Sequence, residues 1–459
     1  MRLRAPSLTG VVVLVLAVWA LGIGFIPLFD NSFLTHLATG RLLLDEGIPR
    51  HDPYSFTAAG EPWVVQSWLA SLLYGVVDEI GGGNGLQMMR AVLTVSLALL
   101  TFRLTRPADQ LLARLGVAAL VLAVGSGYWS PRPLLIGLVL VSVLLVAAEG
   151  GLDPRWAIPV MWVWVNVHGS FPFGLVALAL LALGRRIDGG RPTVELRVLQ
   201  WAVAGTALAA LNPLGPKLLT FPLYMLGRTD TLQFIVEWRS PDFSQAWERV
   251  FLLQVLVAIA ALVRRPSWRA ALPLMVFVGA ALTASRNIPV ASLVMVPGMA
   301  YGLSGLGSLR GDRRSPAVTM AAAVVAIVGV LVVAGGLNGR AFDLDSYPQR
   351  PLAWMEDEGL LAADARLVAP DYVGNYRELV AGTDARVFID DRVDMYPAAL
   401  VEDYRTLYRG EPDWNRVLGR HRATAVLWQR DTPLAALLRA SAAWRLVYAD
   451  DDWVVAVPA

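Results

Sequence analysis

DNSFLTHLATGRLLLDEGIPRHDPYSFTAAGEPWVVQSWLASLLYGVVDEIGGG, residues 30–83, is the stretch from which the rest of the chain is best read. It follows a single apolar run, Leu8 to Phe29, and is the longest amphipathic segment between apolar runs. Asp30, His36, Arg41, Asp52 and Glu61 gather just beyond that run. Within it, Ser32, His36 and Thr39 fall on one face at helical spacing, while Phe33, Leu34, Leu37 and Ala38 fall on the other. Pro62 is well suited to a first helical position. After it, Val65, Trp68, Leu69, Leu72, Leu73, Val76, Val77 and Ile80 form an apolar stripe opposite Gln66, Ser67, Ser71 and Tyr74. A one-sided stripe suits a membrane surface, so both segments are predicted to be interfacial helices and not spans. The stripe is expected to face lipid, and the polar face to tolerate charge.

The chain around this segment is too apolar for a soluble enzyme of 459 residues: 56% is hydrophobic and only 17% charged, with a mean hydropathy of +0.53. A polytopic membrane protein is expected. The formal net charge of +2 gives no reason to expect a nucleic-acid partner. The absence of cysteine removes disulfides, thiolate metal sites and thiol nucleophiles together. Lys217 is the only lysine, a bias toward arginine that fits a high-GC bacterial genome. The first apolar run is longer than a signal-peptide core and lacks an obvious cleavage site, so it reads as a retained span.

Further runs give about eleven candidate spans, taking roughly twenty apolar residues per crossing and fewer for helices buried in protein. They are Leu8 to Phe29, Leu86 to Leu104, Leu111 to Trp129, Pro133 to Ala148, Trp156 to Val167, Phe171 to Gly184, Val198 to Leu211, Val250 to Val263, Ala270 to Ala284, Ile288 to Leu306 and Ala317 to Leu337. Arginine clusters fall in alternate loops only if the helix after Pro62 does not span. Arg2 and Arg4, Arg103 to Arg114, Arg155, Arg185 to Arg197, Arg264 to Arg269 and Arg310 to Arg314 then share the cytoplasmic side, with the N-terminus. The C-terminal segment falls outside the cytoplasm, as does the first loop. The expected organisation is a transmembrane helical domain over 1–339, with its first outer loop at 30–85, and a small α/β domain over 340–459. In the latter, Arg366 to Ala369, Val387 to Ile389, Ala423 to Trp428, Trp444 to Tyr448 and Val454 to Val457 read as strands. Ala398 to Tyr408, Pro412 to Arg420 and Pro433 to Ser441 read as helices. No nucleotide-binding motif occurs there.

Polar residues recur where spans meet the outer surface: Arg132 in SPRP, Asn166 and His168 in NVHG, Lys217 in NPLGPK, Glu237 and Arg239 in EWRSP, and Arg286 in SRNIP. Singly, each also reads as a solvated span end. Together with the acids of the first loop they suit transfer from a lipid-linked phosphate. Cations such as Arg132, Lys217, Arg239 and Arg286, or a metal, would steady the departing phosphate, and a carboxylate would take the proton of an incoming hydroxyl. Asp30 is best placed for that carboxylate, and it reads equally as an N-cap of the helix that follows. His36 could contact a phosphate or help hold a metal, or be a polar-face residue. Asp52, before Pro53, also suits a turn. The four histidines show no HxxxH or HExxH spacing, which argues against a zinc hydrolase. Asp390, Asp391, Arg392 and Asp394 follow a predicted strand, where a metal or sugar site and a plain charged turn are both possible.

These features resemble the GT-C glycosyltransferases: a first span, an acid at its outer end, a loop with two surface helices, then many spans. More closely, residues 30–69 look like a group of bacterial membrane proteins with a DxDxxWHLATG opening, an NxHG segment (here Asn166 to Gly169) and an FIDxR signature (here Phe388 to Arg392). The resemblance implies a polyprenyl-phosphate sugar as donor, an envelope glycan or protein as acceptor, a reaction on the outer face of the cytoplasmic membrane, Asp30 as base, and a divalent ion such as Mg or Mn. The chain departs from the pattern twice. Ser32 stands where the opening motif has its second acid, and the second outer loop offers Arg132 where several relatives keep an acid. The competing readings are a non-catalytic membrane protein that binds a lipid-linked glycan, and a transporter, which would need ionisable residues at mid-span.

Overall fold

The computed structural model describes residues 5–228, 236–307, 309 and 311–459. Arg2, Arg4 and Arg310 of the expected arginine clusters lie outside them. The chain is mainly helical, with one small sheet, and divides into two compact units. The first comprises Met1–Leu28, Val77–Tyr224 and Gln233–Ala341; the second comprises Phe29–Val76, Met225–Leu232 and Phe342–Ala459.

The helices of the first unit begin with α1 (Leu8–Gly24), then the long α3 (Trp68–Leu104), whose first turns belong to the second unit, α4 (Leu111–Tyr128) and α5 (Pro133–Ala148). Next come α6 (Ala157–Val167), α7 (Pro172–Ile187), α8 (Thr193–Leu208) and α9 (Lys217–Leu226). Last are α10 (Ala246–Arg264), α11 (Trp268–Thr283), α12 (Ile288–Val294), α13 (Val296–Gly302) and α14 (Pro316–Asn338). The second unit contains α2 (Asn31–Asp45), α15 (Gln349–Asp357), α16 (Asp371–Ala381), α17 (Ala398–Arg409), α18 (Trp414–Arg420) and α19 (Pro433–Ala440). Its strands are β1 (Leu367–Val368), β2 (Ala425–Gln429), β3 (Trp444–Ala449) and β4 (Trp453–Pro458).

Each predicted span is helical over most of its length, but among the described residues only four helices are long and apolar enough on their own to cross a bilayer: α3, α4, α10 and α14. The tenth predicted span is broken into α12 and α13, where Pro297 denies the chain a backbone donor in the first turn of α13. Membrane character shows on the outside of the helices. Along α14, Met320, Val324, Ile327, Val330 and Leu331 are exposed, as are Leu252, Leu256, Ile259 and Val263 of α10. Rows of exposed aliphatic side chains on long helices need an apolar solvent. Where helices of this unit touch, small residues and hydrogen bonds take over. A Cβ on Gly24 would lie 2.3 Å from the Ala91 Cα, and Gln254 and Ser292 bond each other in the buried α10 and α12 contact.

In the second unit the sheet order is β1-β2-β4-β3, with β1 and β2 parallel and the other pairs antiparallel. Ala425, Val426, Leu427 and Trp428 of β2 are all buried, as suits a central strand. The expected strand at Val387 to Ile389 does not join this sheet. Val387 instead exchanges backbone bonds with the first loop, donating to the Tyr54 carbonyl at 2.9 Å and accepting from the Phe56 N–H at 3.1 Å. Two helices of this unit went unread in the sequence, α15 and α16, as did α9 of the first unit. In α15 and α16 the polar residues (Gln349, Arg350, Asn375, Arg377, Glu378) mask the helical period.

The first loop departs from expectation in two ways. The helix does not start at Pro62. Residues 51–63 form a hairpin-like loop in which Asp52 N–H bonds Glu61 and Trp63 N–H bonds Arg50, both at 2.9 Å, and helix begins at Trp68. The interfacial segment and the next span are continuous in α3 apart from Gly82, whose φ of 54° breaks the helix between them. The stripe faces outward only in part, with Leu73 40% and Ile80 83% exposed while Val65 and Trp68 are buried, and on the polar face Ser67, Ser71 and Tyr74 are enclosed. Tolerance of charge at Ser71 is therefore corrected. Here α2 and α3 approach so closely that a Cβ on Gly40 would meet the Ser71 carbonyl oxygen at 2.1 Å, and one on Gly75 the Gly40 carbonyl oxygen at 2.5 Å.

Candidate active-site region

Asp30 is the N-cap of α2. Its backbone is extended (φ −76°, ψ 122°), and its carboxylate accepts the Phe33 N–H at 3.2 Å. A carboxylate at this end of a helix is favoured by the unpaired N–H groups and the helix dipole, by about 0.3–1 kcal/mol. The residue is half-buried, so capping leaves it in reach of solvent. Capping and base are thus compatible roles for one side chain.

Several groups surround this turn. The Tyr347 hydroxyl donates to the Asn31 side chain, and Ser32 Oγ donates to Asp391 at 2.6 Å. Asp391 is held in turn through its N–H, which bonds Asn375 Oδ1 at 3.0 Å. Burial raises the Tyr347 phenol above its ordinary range, and the charges of Asp30 and Asp391 push it further. One turn along α2, His36 Nδ1 lies 3.1 Å from Ser71 Oγ, and Phe33 packs edge-on against Tyr74 at 5.2 Å.

Behind this lies a buried charge cluster. The Arg392 guanidinium is 6% exposed and meets three acids. It takes Asp390 in a two-point grip at 2.9 and 2.6 Å, Asp52 at 2.7 Å, and reaches Glu378 at 3.6 Å. It also lies over the rings of Trp63 (4.6 Å) and Tyr54 (4.8 Å). Tyr396 donates its hydroxyl to Asp390. Burial opposes charge on Asp390, but Arg392 prevails and keeps it below the usual carboxylate range. Glu378 goes the other way: burial, then the Asp390 charge, lift it well above its ordinary value. Asp52 also accepts the N–H groups of Tyr54 and Ser55 at 3.2 and 3.0 Å, which folds the loop after it.

The predicted outer-domain group therefore divides. Asp390 and Arg392 point into the cluster, Asp391 points to the start of α2, and Asp394 lies where Arg228 bonds its carbonyl at 2.9 Å. Glu378, Tyr396, Trp63, Tyr347 and Asn375 were missed by sequence reasoning. Only their partnership in three dimensions marks them.

The remaining candidates lie in the first unit. Arg132 pairs with Glu237 across two turns of chain at span ends. The Arg286 guanidinium stacks 4.5 Å over the Trp238 ring, and the Arg239 carbonyl accepts the Ser285 N–H at 2.9 Å. This brings Glu237, Arg239 and Arg286 into one neighbourhood with Arg132. Asn166 is fully buried and bonds the Trp162 carbonyl at 2.8 Å, while His168 bonds Ser170 at 2.8 Å. These two serve the end of α6. Lys217 is exposed at the start of α9.

A divalent ion of the Mg or Mn kind would need several oxygen ligands. Among the described residues no three His, Asp or Glu side chains gather closely enough to hold one. Asp52, Asp390 and Glu378, the densest acids, already enclose a guanidinium. The residues described do not fit a metal centre.

The fold of this chain, a unit of apolar helices and a mixed unit built from the loop after α1 and the C-terminal segment, is similar to that of solved oligosaccharyltransferases. The particular likeness is to the oligosaccharyltransferase AglB of Archaeoglobus fulgidus. Its complex with an inhibitory peptide and a dolichol-phosphate matches with a TM-score of 0.52 at 12% identity, over 91% of this chain and 69% of that one. The oligosaccharyltransferase of the same organism tethered to an acceptor peptide matches with a TM-score of 0.53 at 13% identity, over 91% and 68%. At such identity the likeness is one of fold. No protein-family model and no curated protein matches the sequence.

Proposed function

We propose that the protein is an integral glycosyltransferase of the bacterial cytoplasmic membrane that moves a sugar from a polyprenyl-phosphate carrier to an envelope glycan or protein on the outer face. The observation that carries this reading is Asp30, a half-buried carboxylate fixed at a helix N-terminus in an oligosaccharyltransferase-like fold. In this reading Asp30 accepts the proton of the attacking hydroxyl. Arg132, Arg239 and Arg286 bind the donor phosphate, assisted by Lys217. The Arg392 cluster with Asp52 keeps the first loop in shape for that chemistry, and Asn166 and His168 fix the α6 end. The N-terminus is cytoplasmic and the C-terminal segment extracytoplasmic, in keeping with the arginine pattern.

The direct test is transfer of label from radiolabelled polyprenyl-phosphate sugars in membranes carrying the wild-type protein or Asp30→Asn. Transfer that depends on Asp30 supports the reading. Donor binding with no turnover would favour the second reading, a non-catalytic lipid-linked glycan binder. The observation favouring that alternative is that Asp52, Asp390 and Glu378 are committed to Arg392 and so unavailable for chemistry.

A further inference from the structure

We infer that Asp391 of the C-terminal segment is a second acid of the reacting site, acting as the acceptor-positioning partner of Asp30; this rests on the proposed role of Asp30. The two carboxylates come from positions far apart in sequence to one helix turn. Asp30 caps α2, and Asp391 reaches the same turn through Ser32 Oγ at 2.6 Å. Both are half-buried, unlike the neighbouring Asp390, which is fully enclosed.

The loop that presents Asp391 is held from both sides. Its own N–H is fixed by Asn375, and the adjoining Asp390 and Arg392 are locked in the buried cluster. A separate observation points to a ligand here. The Tyr74 hydroxyl is fully buried and has no hydrogen-bond partner among the described residues, and the Tyr74 ring packs at 5.2 Å against Phe33, whose N–H Asp30 caps. Leaving such a hydroxyl unsatisfied is costly, which a bound polar group would relieve. Two carboxyl groups brought to one helix turn suit an acceptor with neighbouring hydroxyl groups, as in a glycan. One hydroxyl is bound by Asp391 while Asp30 deprotonates the other.

The experiment measures transfer from radiolabelled polyprenyl-phosphate sugars, extracted from the source membranes, to an n-octyl glycoside acceptor. Asp391→Asn should raise the KM for the glycoside about tenfold or more with kcat nearly kept, whereas Asp30→Asn should lower kcat. Ser32→Ala removes the same hydrogen bond but leaves the Asp391 charge, and should change KM less than threefold. The double variant Ser32→Asp/Asp391→Ser, which moves the acid onto the helix, should recover most of the lost KM. Wild-type KM in Asp391→Asn, or equal losses in Asp391→Asn and Ser32→Ala, would overturn the role of Asp391 while leaving that of Asp30 intact. Transfer unaffected by Asp30→Asn, or no transfer by wild-type protein, would overturn the proposed function and this inference with it.

Discussion

Arg392 and Asp52 lie 2.7 Å apart although 340 positions separate them, and both side chains are almost wholly buried. That one ion pair ties the loop after the first span to the C-terminal segment. Together with the Asp390 grip and the Trp63 ring it surrounds the guanidinium on several sides. Removing one partner of a buried pair leaves an uncompensated charge, which costs about 3–5 kcal/mol. Arg392→Ala should therefore lose that much stability in thermal or denaturant unfolding of the purified protein. Arg392→Lys should lose nearly as much, because an ammonium cannot reproduce the two-point grip on Asp390. A Lys variant as stable as the parent would show the cluster to be dispensable.

Asp30→Asn retains a side-chain oxygen for the Phe33 N–H, and Asn caps helices about as well as Asp, so unfolding should be little changed. Loss of general-base help costs about two to four orders of magnitude in rate. A drop of that size in transfer, with unchanged melting, is expected. Full activity would return Asp30 to capping alone.

The α2 and α3 contact gives a steric prediction. Gly40→Ala would bring a methyl against the Ser71 carbonyl, and backbone cannot give way cheaply, so a loss of about 1–3 kcal/mol or more is expected. Ser71→Glu should be worse than Leu69→Glu, since Ser71 is enclosed and Leu69 is partly exposed. Comparing yields of folded protein in detergent checks both.

Asp394 supplies a pH prediction. Burial raises its carboxyl to about 6. A carboxyl with a raised folded value keeps its proton in the native state while the unfolded chain has lost it. Stability from this group is thus full below about pH 4 and falls as pH rises toward about 6. Each pKa unit is worth about 1.4 kcal/mol, reduced here because the residue is only half-buried, so about 1 kcal/mol is expected. Asp394→Asn should raise the melting temperature at pH 7 and leave it unchanged at pH 4. An equal shift at both values would exclude titration as the cause.

Topology is the last test. A reporter active only outside the cytoplasm should be active when fused after Ala459 and inactive after Arg186. Inversion of the pair would remove the first loop from the outer face.

Much of this protein was legible in the chain because its signals are local. Apolar runs of near-span length and an Asp before an amphipathic run each report through composition or short periodicity. Helices α4, α5 and α10 lie close to where the runs place them, and Asp30 caps α2 as an Asp at that position can. What the sequence could not show depends on partners distant along the chain. RVFIDDRVDMYP carries no sign that Asp390 and Arg392 turn inward while Asp391 turns to Ser32. The apolar run at Val387 looks like a sheet strand until Tyr54 and Phe56 are found beside it. Ser71 of α3 looks solvent-facing because a polar face ordinarily meets water, yet here Gly40 and Gly75 allow a second helix to cover it. Polarity and period follow from neighbouring residues, whereas burial and pairing follow from which distant segment arrives, and only the folded chain decides that.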